Sequence, residues 1–385
     1  MELETVDWAA LEHAYGNASD VPEMLRELRS EDPDARKRAR GGLHASLDHQ
    51  GVQRGEATLR AIPFLVELLR DPATPERGAL ARLLAELAVG DTCWFLHNGV
   101  HRDHQMQADE TARPQHSSQI TAKNFATRGF PRLHENRLQL EVGSGLRWIY
   151  DAVADGVPAY VAALVGADEN LRESIPFLCA FLTTDEAAAA AAPALTALLD
   201  DPSERVRASA AIGLSHATKF VPALWDQAFE VLSARWDREL GALERRCLAL
   251  ALVRNERPER TEAVRAYLRD TLAAGVPKVL PDRTFPWFRI DSPPFLFCTT
   301  WLGTSADDRP TLRTPALAAL AAADHDHDAA DLGVWIVKIW GDDREALRAL
   351  AGATAAWFFS DVGAELDVLG LPRQRAELLA WLDKS

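Results

Sequence analysis

The apolar positions between Pro193 and Leu214 have the spacing of two short helices joined by a corner. In the stretch PALTALLDDPSERVRASAAIGL, leucines recur at helical spacing before the corner, and apolar residues resume that spacing after it. These positions are Leu195, Leu198 and Leu199 in the first helix and Ala208, Ala211, Ile212 and Leu214 in the second. Each helix then has one apolar face, which predicts that the pair packs against further helices.

The same pattern recurs when the chain is aligned on four of its prolines. An arginine lies 14 positions after each of Pro22, Pro63, Pro158 and Pro193, and an aspartate lies 8 to 10 positions after each. The arginines are Arg36, Arg77, Arg172 and Arg207, and the aspartates are Asp32, Asp71, Asp168 and Asp201. Four matches in four alignments predict a repeated unit of helix, corner and helix.

The residues at the corner suit the start of a helix. An aspartate followed by proline can accept a hydrogen bond from a free backbone N–H, and proline at the first helical position has no N–H to lose. The arginine one turn further on is placed to reach an aspartate of its own or of the preceding unit. Because a cap contributes about 1 kcal/mol and an exposed ion pair about 0.2 to 1 kcal/mol, we expect the cap to matter more.

A two-helix unit cannot bury its apolar face alone, so these units must stack. The stretches VPEMLRELRSEDPDARKRARGGL, IPFLVELLRDPATPERGALARLL and PALTALLDDPSERVRASAAIGL resemble HEAT repeats, clearly over residues 21–88 and 157–214 and more weakly over 221–272 and from 315 onward. The first fifty residues resemble a bacterial subgroup of HEAT proteins of mostly unassigned function. The resemblance implies an all-α fold, an α-solenoid of about 16 to 18 helices, and a habit of binding partners.

Two interruptions of the repeat divide the chain into five segments. The first interruption is polar and rich in histidine, and the second combines prolines with aromatic residues that cannot all remain in water. The predicted segments are N-terminal repeats at 1–90, the polar insertion at 91–143, central repeats at 144–276, the aromatic segment at 277–315, and degenerate C-terminal repeats with a cap at 316–385. A last helix is predicted from Arg373 to Asp383.

Composition narrows the classes of function. The formal charge of −15 would repel a phosphate backbone, which makes nucleic acid an unexpected partner. No apolar run is long enough to cross a bilayer, and the N-terminal residues have no signal-peptide pattern, so we expect a cytoplasmic protein with no membrane partner. The four cysteines lie far apart and are expected to be reduced and buried.

The polar insertion holds the strongest candidate metal ligands. His97, His101 and His104 have the spacing HxxxHxxH, which on a helix would place three imidazoles on one face for zinc or iron. Gly99 and the polar surroundings disfavour a helix there. These histidines support the alternative prediction of an enzyme, with a small-molecule or metal site between the 91–143 insertion and the aromatic residues 284–301. The favoured interpretation has no catalytic residues and no cofactor.

The known enzymes with HEAT repeats are poor matches. The di-iron hydroxylase of this fold is built on repeated His-Glu pairs, and here only His134-Glu135 occurs. The DNA glycosylases use Trp and Asp in a basic groove, for which residues 235–239 offer candidates in a chain that is acidic overall. The phycobilin lyases share only the repeat.

The sequence therefore favours a scaffold that binds a protein or peptide in the inner groove of a HEAT-like solenoid. An acidic surface would steer a basic partner toward it, and neutralisation of a toxin is one role that fits. Aromatic side chains dominate many interfaces, and those nearest the two interruptions are the candidate anchors. They are Trp94, Trp148, Trp287, Phe288 and Trp301.

Overall fold

The computed structural model shows an all-α protein that divides into two compact units, Met1–Asp237 and Arg238–Ser385. The structure describes residues 3–49, 54–90, 92, 100, 144–253, 258–280, 282, 284–323, 326–353 and 359–384. Within these residues the only strands are Glu12–His13 and Gly16–Asn17, which pair as an antiparallel hairpin. The prediction of an all-α fold is thus confirmed.

The first unit consists of successive helices in two layers. Two short 3-10 turns, Leu3–Thr5 and Trp8–Ala10, precede them. The helices are α1 (Val21–Glu27), α2 (Pro33–Leu47), α3 (Glu56–Arg70), α4 (Arg77–Val89), α5 (Ser144–Ala154), α6 (Val157–Ala162), α7 (Glu169–Cys179), α8 (Asp185–Leu198), α9 (Glu204–Thr218) and α10 (Pro222–Trp236). Helices α1, α3, α5, α6, α8 and α10 form the first layer, and α2, α4, α7 and α9 form the second.

Helices of the first unit pack on a partner in the pair and on the equivalent helix of a neighbouring pair. In the second layer α2 contacts α4, α4 contacts α7, and α7 contacts α9. In the first layer α3 contacts both α5 and α6, and α6 contacts α8. The helices before and after residues 91–143 therefore pack directly against each other, so the stack of pairs continues across that interruption of the sequence.

The predicted aspartate caps are present at two of the four corners. Asp32 caps α2 by accepting a hydrogen bond from the backbone of Asp34, and Asp168 caps α7 through the backbone of Leu171. At the fourth corner Ser203 caps α9 instead, and Asp201 accepts a hydrogen bond from the Ser203 backbone N–H at 2.9 Å. The aspartate there shapes the turn that leads into the helix.

Two of the four arginines reach a different unit from the predicted one, whereas Arg207 reaches the aspartate of its own unit as predicted. Arg36 donates to Glu76 at 2.7 Å and Arg172 donates to Asp201 at 2.8 Å, so each of them reaches an acidic residue of the following unit, not of its own or the preceding one. Arg207 instead donates to the backbone carbonyl of Asp201 in its own corner, also at 2.8 Å. Arg36 and Arg172 reach the following unit because the helix pairs stack. Stacking places the corner of the next pair beside the start of the second-layer helix that carries each arginine.

The second unit repeats the alternating contacts. Its helices are α11 (Ala242–Leu252), α12 (Pro258–Ala273), α13 (Pro293–Leu302), α14 (Arg313–Ala321), α15 (Asp326–Trp340), α16 (Arg344–Ala353), α17 (Phe359–Val368) and α18 (Arg375–Asp383). Helix α12 contacts α13 and α14, and α14 contacts α15 and α16. Helix α15 also contacts α13 and α17, so this unit again has two alternating rows of helices.

The aromatic segment belongs to the core of the second unit. Phe285 and Trp287 are each 1% exposed, and Phe297 is fully buried within α13. Pro293 and Pro294 begin α13, where proline needs no hydrogen-bond partner, so the prolines of this segment permit a helix of ten residues. The carboxylate of Asp291 accepts hydrogen bonds from two backbone N–H groups and from Arg246, which fixes the chain before α13.

The C-terminal helix ends the second unit as predicted, except that it begins two residues later, at Arg375. Leu378 and Leu382 are buried, and the guanidinium of Arg344 lies 4.4 Å from the ring centroid of Trp381. Among the residues that the structure describes, no helix combines the length and apolar character that a bilayer crossing requires. The described cysteines Cys179, Cys247 and Cys298 are buried and form no disulfide.

Candidate functional site

A cleft of about 750 Å³ opens in the first unit where three breaks between helices meet. These breaks are the α5–α6 junction, the α7–α8 corner and the α9–α10 corner. The lining residues are Asp151, Ala154, Asp155 and Pro158 from the first, Thr183, Thr184, Asp185, Glu186 and Ala187 from the second, and Phe220 from the third. We call it the acidic cleft, after Asp151, Asp155, Asp185 and Glu186.

The α5–α6 junction is a break in a first-layer helix at its repeat proline. Helix α8 continues through Pro193, whereas α5 ends at Ala154 and α6 begins at Val157. The hydroxyl of Tyr160 donates to the carbonyl of Val153 at 3.0 Å, which satisfies a group that the broken helix leaves without its usual partner. Burial raises the pKa of this tyrosine, so the hydroxyl remains a donor.

Gly156 leaves room for that hydroxyl. A Cβ atom at residue 156 would lie within 2.3 Å of the Tyr160 hydroxyl oxygen, so a larger residue would displace the ring. The break brings Asp155 to the surface beside the cleft, where it is exposed.

Hydrogen bonds to buried groups hold the α7–α8 corner in place. The backbone N–H of Thr183 donates to the hydroxyl of the buried Tyr150 at 2.7 Å, and its own hydroxyl donates to the carbonyl of Val100 at 2.6 Å. The Thr184 side chain caps α8 through the backbone N–H of Ala187 at 3.1 Å. Asp185 and Glu186 follow immediately in the first turn of α8, so their positions are set by a fixed backbone.

The charged residues that line the cleft are all acidic. None of the described residues that line it is a lysine or arginine, and beside the lining the ammonium of Lys219 lies 5.6 Å from the Phe220 ring centroid. Asp185 and Glu186 are favoured where they are, because a helix N-terminus attracts negative charge. Asp151 lies in the last turn of α5, where the helix dipole disfavours a carboxylate by about 0.3 kcal/mol or more, and Asp155 lies between the end of α5 and the start of α6.

Of the other lining residues, two are the threonines Thr183 and Thr184 and four are apolar. Ala154, Pro158, Ala187 and the ring of Phe220 border the carboxylates. A cleft of this size and composition suits a cation carried on an aliphatic or planar stem, as in a lysine or arginine side chain. The stem would cover the apolar residues while the charged end met the carboxylates.

The predicted aromatic anchors lie in different surroundings. Trp148 is half-buried on α5, three residues before Asp151 and so on the same side of the helix. Trp287 is buried in the core of the second unit, which leaves its ring no surface to offer a partner. Phe288 is 44% exposed, and Trp94 lies outside the described residues.

Trp301 forms part of an aromatic group on the second unit. Its ring lies 6.0 Å from Phe297 and 5.8 Å from Trp340 between centroids, and the guanidinium of Arg309 lies 4.9 Å from its centroid. Trp301 is half-buried, so these contacts cover much of the ring. The structure thus brings Trp301 together with Trp340, a residue that the sequence did not single out.

The candidate metal ligands His97, His101 and His104 lie outside the described residues. Elsewhere in the part of the chain that the structure describes, no three histidine, cysteine or acidic side chains are grouped so as to hold a metal ion.

The acidic residues of the cleft were missed by sequence reasoning, although a signal for two of them was present. Asp151 and Glu186 each lie seven positions before a repeat proline, Pro158 and Pro193, and therefore occupy equivalent positions in adjacent units. Equivalent positions of stacked repeats lie side by side, so this alignment could have indicated that the two carboxylates face one cleft.

Comparison with known proteins adds no assignment. No family model matches the chain, and no curated protein is significantly similar to it in sequence. The resemblance to HEAT repeats therefore stays a prediction from the motif residues.

Proposed function

We propose that this protein is a HEAT-like repeat protein that binds a basic segment of a partner protein, with a lysine or arginine side chain of that segment in the acidic cleft. The observation that carries the proposal is the convergence of Asp151, Asp155, Asp185 and Glu186 on one partly apolar cleft with no lysine or arginine among its described lining residues.

The charge of the whole chain supports the same class of partner. A formal charge of −15 steers cationic segments toward the protein and repels acidic ones, which raises the rate of association with a basic partner. A basic toxin is one partner of this kind. The contacts of helix pairs within each unit support the proposed α-solenoid.

The buried and unbridged cysteines support a reducing compartment, as in the cytoplasm. These cysteines are Cys179, Cys247 and Cys298, the three cysteines within the described residues.

The test is the affinity for a fluorescein-labelled, lysine- and arginine-rich peptide, measured by anisotropy at physiological salt. We expect saturable binding that weakens at least about tenfold in the double variant Asp151→Asn/Glu186→Gln, since each neutralised contact contributes about 1 kcal/mol or more. The control Glu31→Gln/Asp34→Asn removes the same charge from exposed positions of the same unit and should bind as the native protein does. Equal weakening in both variants, or no saturable binding, would refute the proposal.

A further inference from the structure

A second polar cluster lies in the first unit, on the second-layer helices. The guanidinium of Arg82 in α4 donates to the hydroxyl of Ser174 at 2.8 Å. Arg205 in α9 donates twice to the carboxylate of Glu173, at 2.8 and 3.1 Å. Because Glu173 and Ser174 are adjacent in α7, the two arginines reach the same turn of that helix from opposite sides.

The arginines are more accessible than the carboxylate between them. The side chain of Glu173 is 2% exposed and that of Arg205 is 20% exposed. Ser174 is fully buried, and Arg82 is half-buried. A ligand that approached this turn of α7 would therefore contact the guanidinium groups of Arg82 and Arg205, and the carboxylate of Glu173 would be buried behind them.

Arg82 differs from its neighbours in its partner. Arg205 is paired with Glu173, and Arg40 of α2 is paired with Glu76. Within the described residues, by contrast, Arg82 has no carboxylate at ion-pair distance, and its hydrogen-bond partner is the neutral Ser174. A guanidinium has five N–H donors, so one bond to a hydroxyl leaves most of them unused.

Charges of both signs surround Arg82. Burial lowers the pKa of Arg82, the nearby carboxylates of Glu173 and Glu86 raise it, and the nearby guanidinium groups of Arg40 and Arg205 lower it. The three arginines come from three second-layer helices, α2, α4 and α9, so the stacking of pairs creates the cluster.

We propose that Arg82, with Arg205 beside it, forms a binding site for an oxyanion, either a phosphate group or a carboxylate group. A guanidinium binds both through paired, charge-assisted hydrogen bonds. An anion here would supply the partner that Arg82 lacks. This site is separate from the acidic cleft in its residues, its layer and the sign of its charge, so it goes beyond the proposed binding of a basic segment.

The test is calorimetric titration of the full chain with inorganic phosphate and, separately, with succinate, at an ionic strength held constant with sodium chloride. We expect saturable binding of at least one of them, and at least a tenfold loss of affinity in Arg82→Gln. Arg38→Gln is the matched control, because Arg38 is an exposed arginine of α2. Binding of phosphate alone assigns a phosphate group to the site, and binding of succinate alone assigns a carboxylate.

A second variant separates loss of the site from loss of the fold. Arg82→Lys keeps the charge without the paired donors. We expect this variant to unfold at the same temperature as the native protein and to bind the anion with intermediate affinity. The Asp151→Asn/Glu186→Gln variant should retain native affinity for the anion, which distinguishes this site from the cleft. The proposal is overturned if neither anion binds, or if Arg82→Gln binds as tightly as the native protein.

Discussion

The guanidinium of Arg172 lies 2.8 Å from the carboxylate of Asp201, one helix pair further along the chain. The Asp201 side chain is 7% exposed, and it also accepts from the backbone of Ser203. Because both donors lose their partner, Asp201→Ala should lower the free energy of unfolding by about 1 to 3 kcal/mol in urea titrations. Glu31→Ala removes an exposed carboxylate of the same unit, so its cost should stay below about 1 kcal/mol. Equal losses in the free energy of unfolding for the two variants would contradict a role of Asp201 in joining the helix pairs.

Close packing between α7 and α9 predicts the effect of a single methyl group. A Cβ atom at Gly213 would lie 2.6 Å from the carbonyl oxygen of Pro176, a backbone atom that cannot move alone. Gly213→Ala should therefore destabilise the protein by about 1 to 3 kcal/mol despite the better helix propensity of alanine.

Gly41 provides the control for that substitution. It lies on α2, where an added methyl group would have no neighbouring atom within 4 Å, so Gly41→Ala should stabilise the protein by up to about 1 kcal/mol. The two variants should move the midpoint of thermal unfolding in opposite directions. A shift of the same sign in both would contradict the contact between α7 and α9.

The start of α16 predicts a dependence of stability on pH. A hydrogen bond from Arg313 holds the pKa of Asp343 below its ordinary value of 3.8, and two backbone N–H groups at the start of α16 contribute as well. A lowered pKa means that this carboxylate stabilises the fold above pH 3.8 and that the contribution is lost as the pH falls through the lowered value.

Asp343→Asn should accordingly cost about 1 kcal/mol at neutral pH, and the difference from the native protein should shrink as the pH falls below 3.8. Urea unfolding at a series of pH values measures that difference. Asp342→Asn, at a neighbouring position, should show little cost at any pH. A difference that grows in acid would have the wrong sign.

Two adjacent aromatic residues should differ sharply in their effect on stability. Trp287 is 1% exposed and Phe288 is 44% exposed. Trp287→Ala leaves a cavity in the core of the second unit and should cost about 3 to 5 kcal/mol. Phe288→Ala should cost less than about 1 kcal/mol, as is usual for surface substitutions. Chemical denaturation followed by circular dichroism gives both values, and similar costs would place Trp287 outside the core.

Much of the fold could be predicted because repeated helix pairs leave a periodic record in the sequence. The spacing of Leu195, Leu198 and Leu199 predicted α8, and Asp32 predicted the cap of α2. The helix within the aromatic segment was harder to predict, because Pro293 and Pro294 suggest a break until they are recognised as its first residues. The division of the chain after Asp237 coincides with no change of composition.

The candidate site could be predicted only in small part. The cleft lies at the break after Ala154, where Gly156 leaves room for the hydroxyl of Tyr160 four residues further on. Helix propensity does not encode such a fit between side chain and backbone. The contact of Arg172 with the following unit could likewise not be predicted from the sequence, because its side chain reaches Asp201 only when the helix pairs are stacked.

The most direct measurement of the central claim is hydrogen–deuterium exchange with and without the lysine- and arginine-rich peptide. If the acidic cleft binds a basic segment, the peptide should slow exchange at the α5–α6 junction around Asp155 and at the start of α8 around Asp185, and it should do so less in Asp151→Asn/Glu186→Gln. Unchanged exchange at both places under saturating peptide, or equal protection in the native protein and the double variant, would contradict the account.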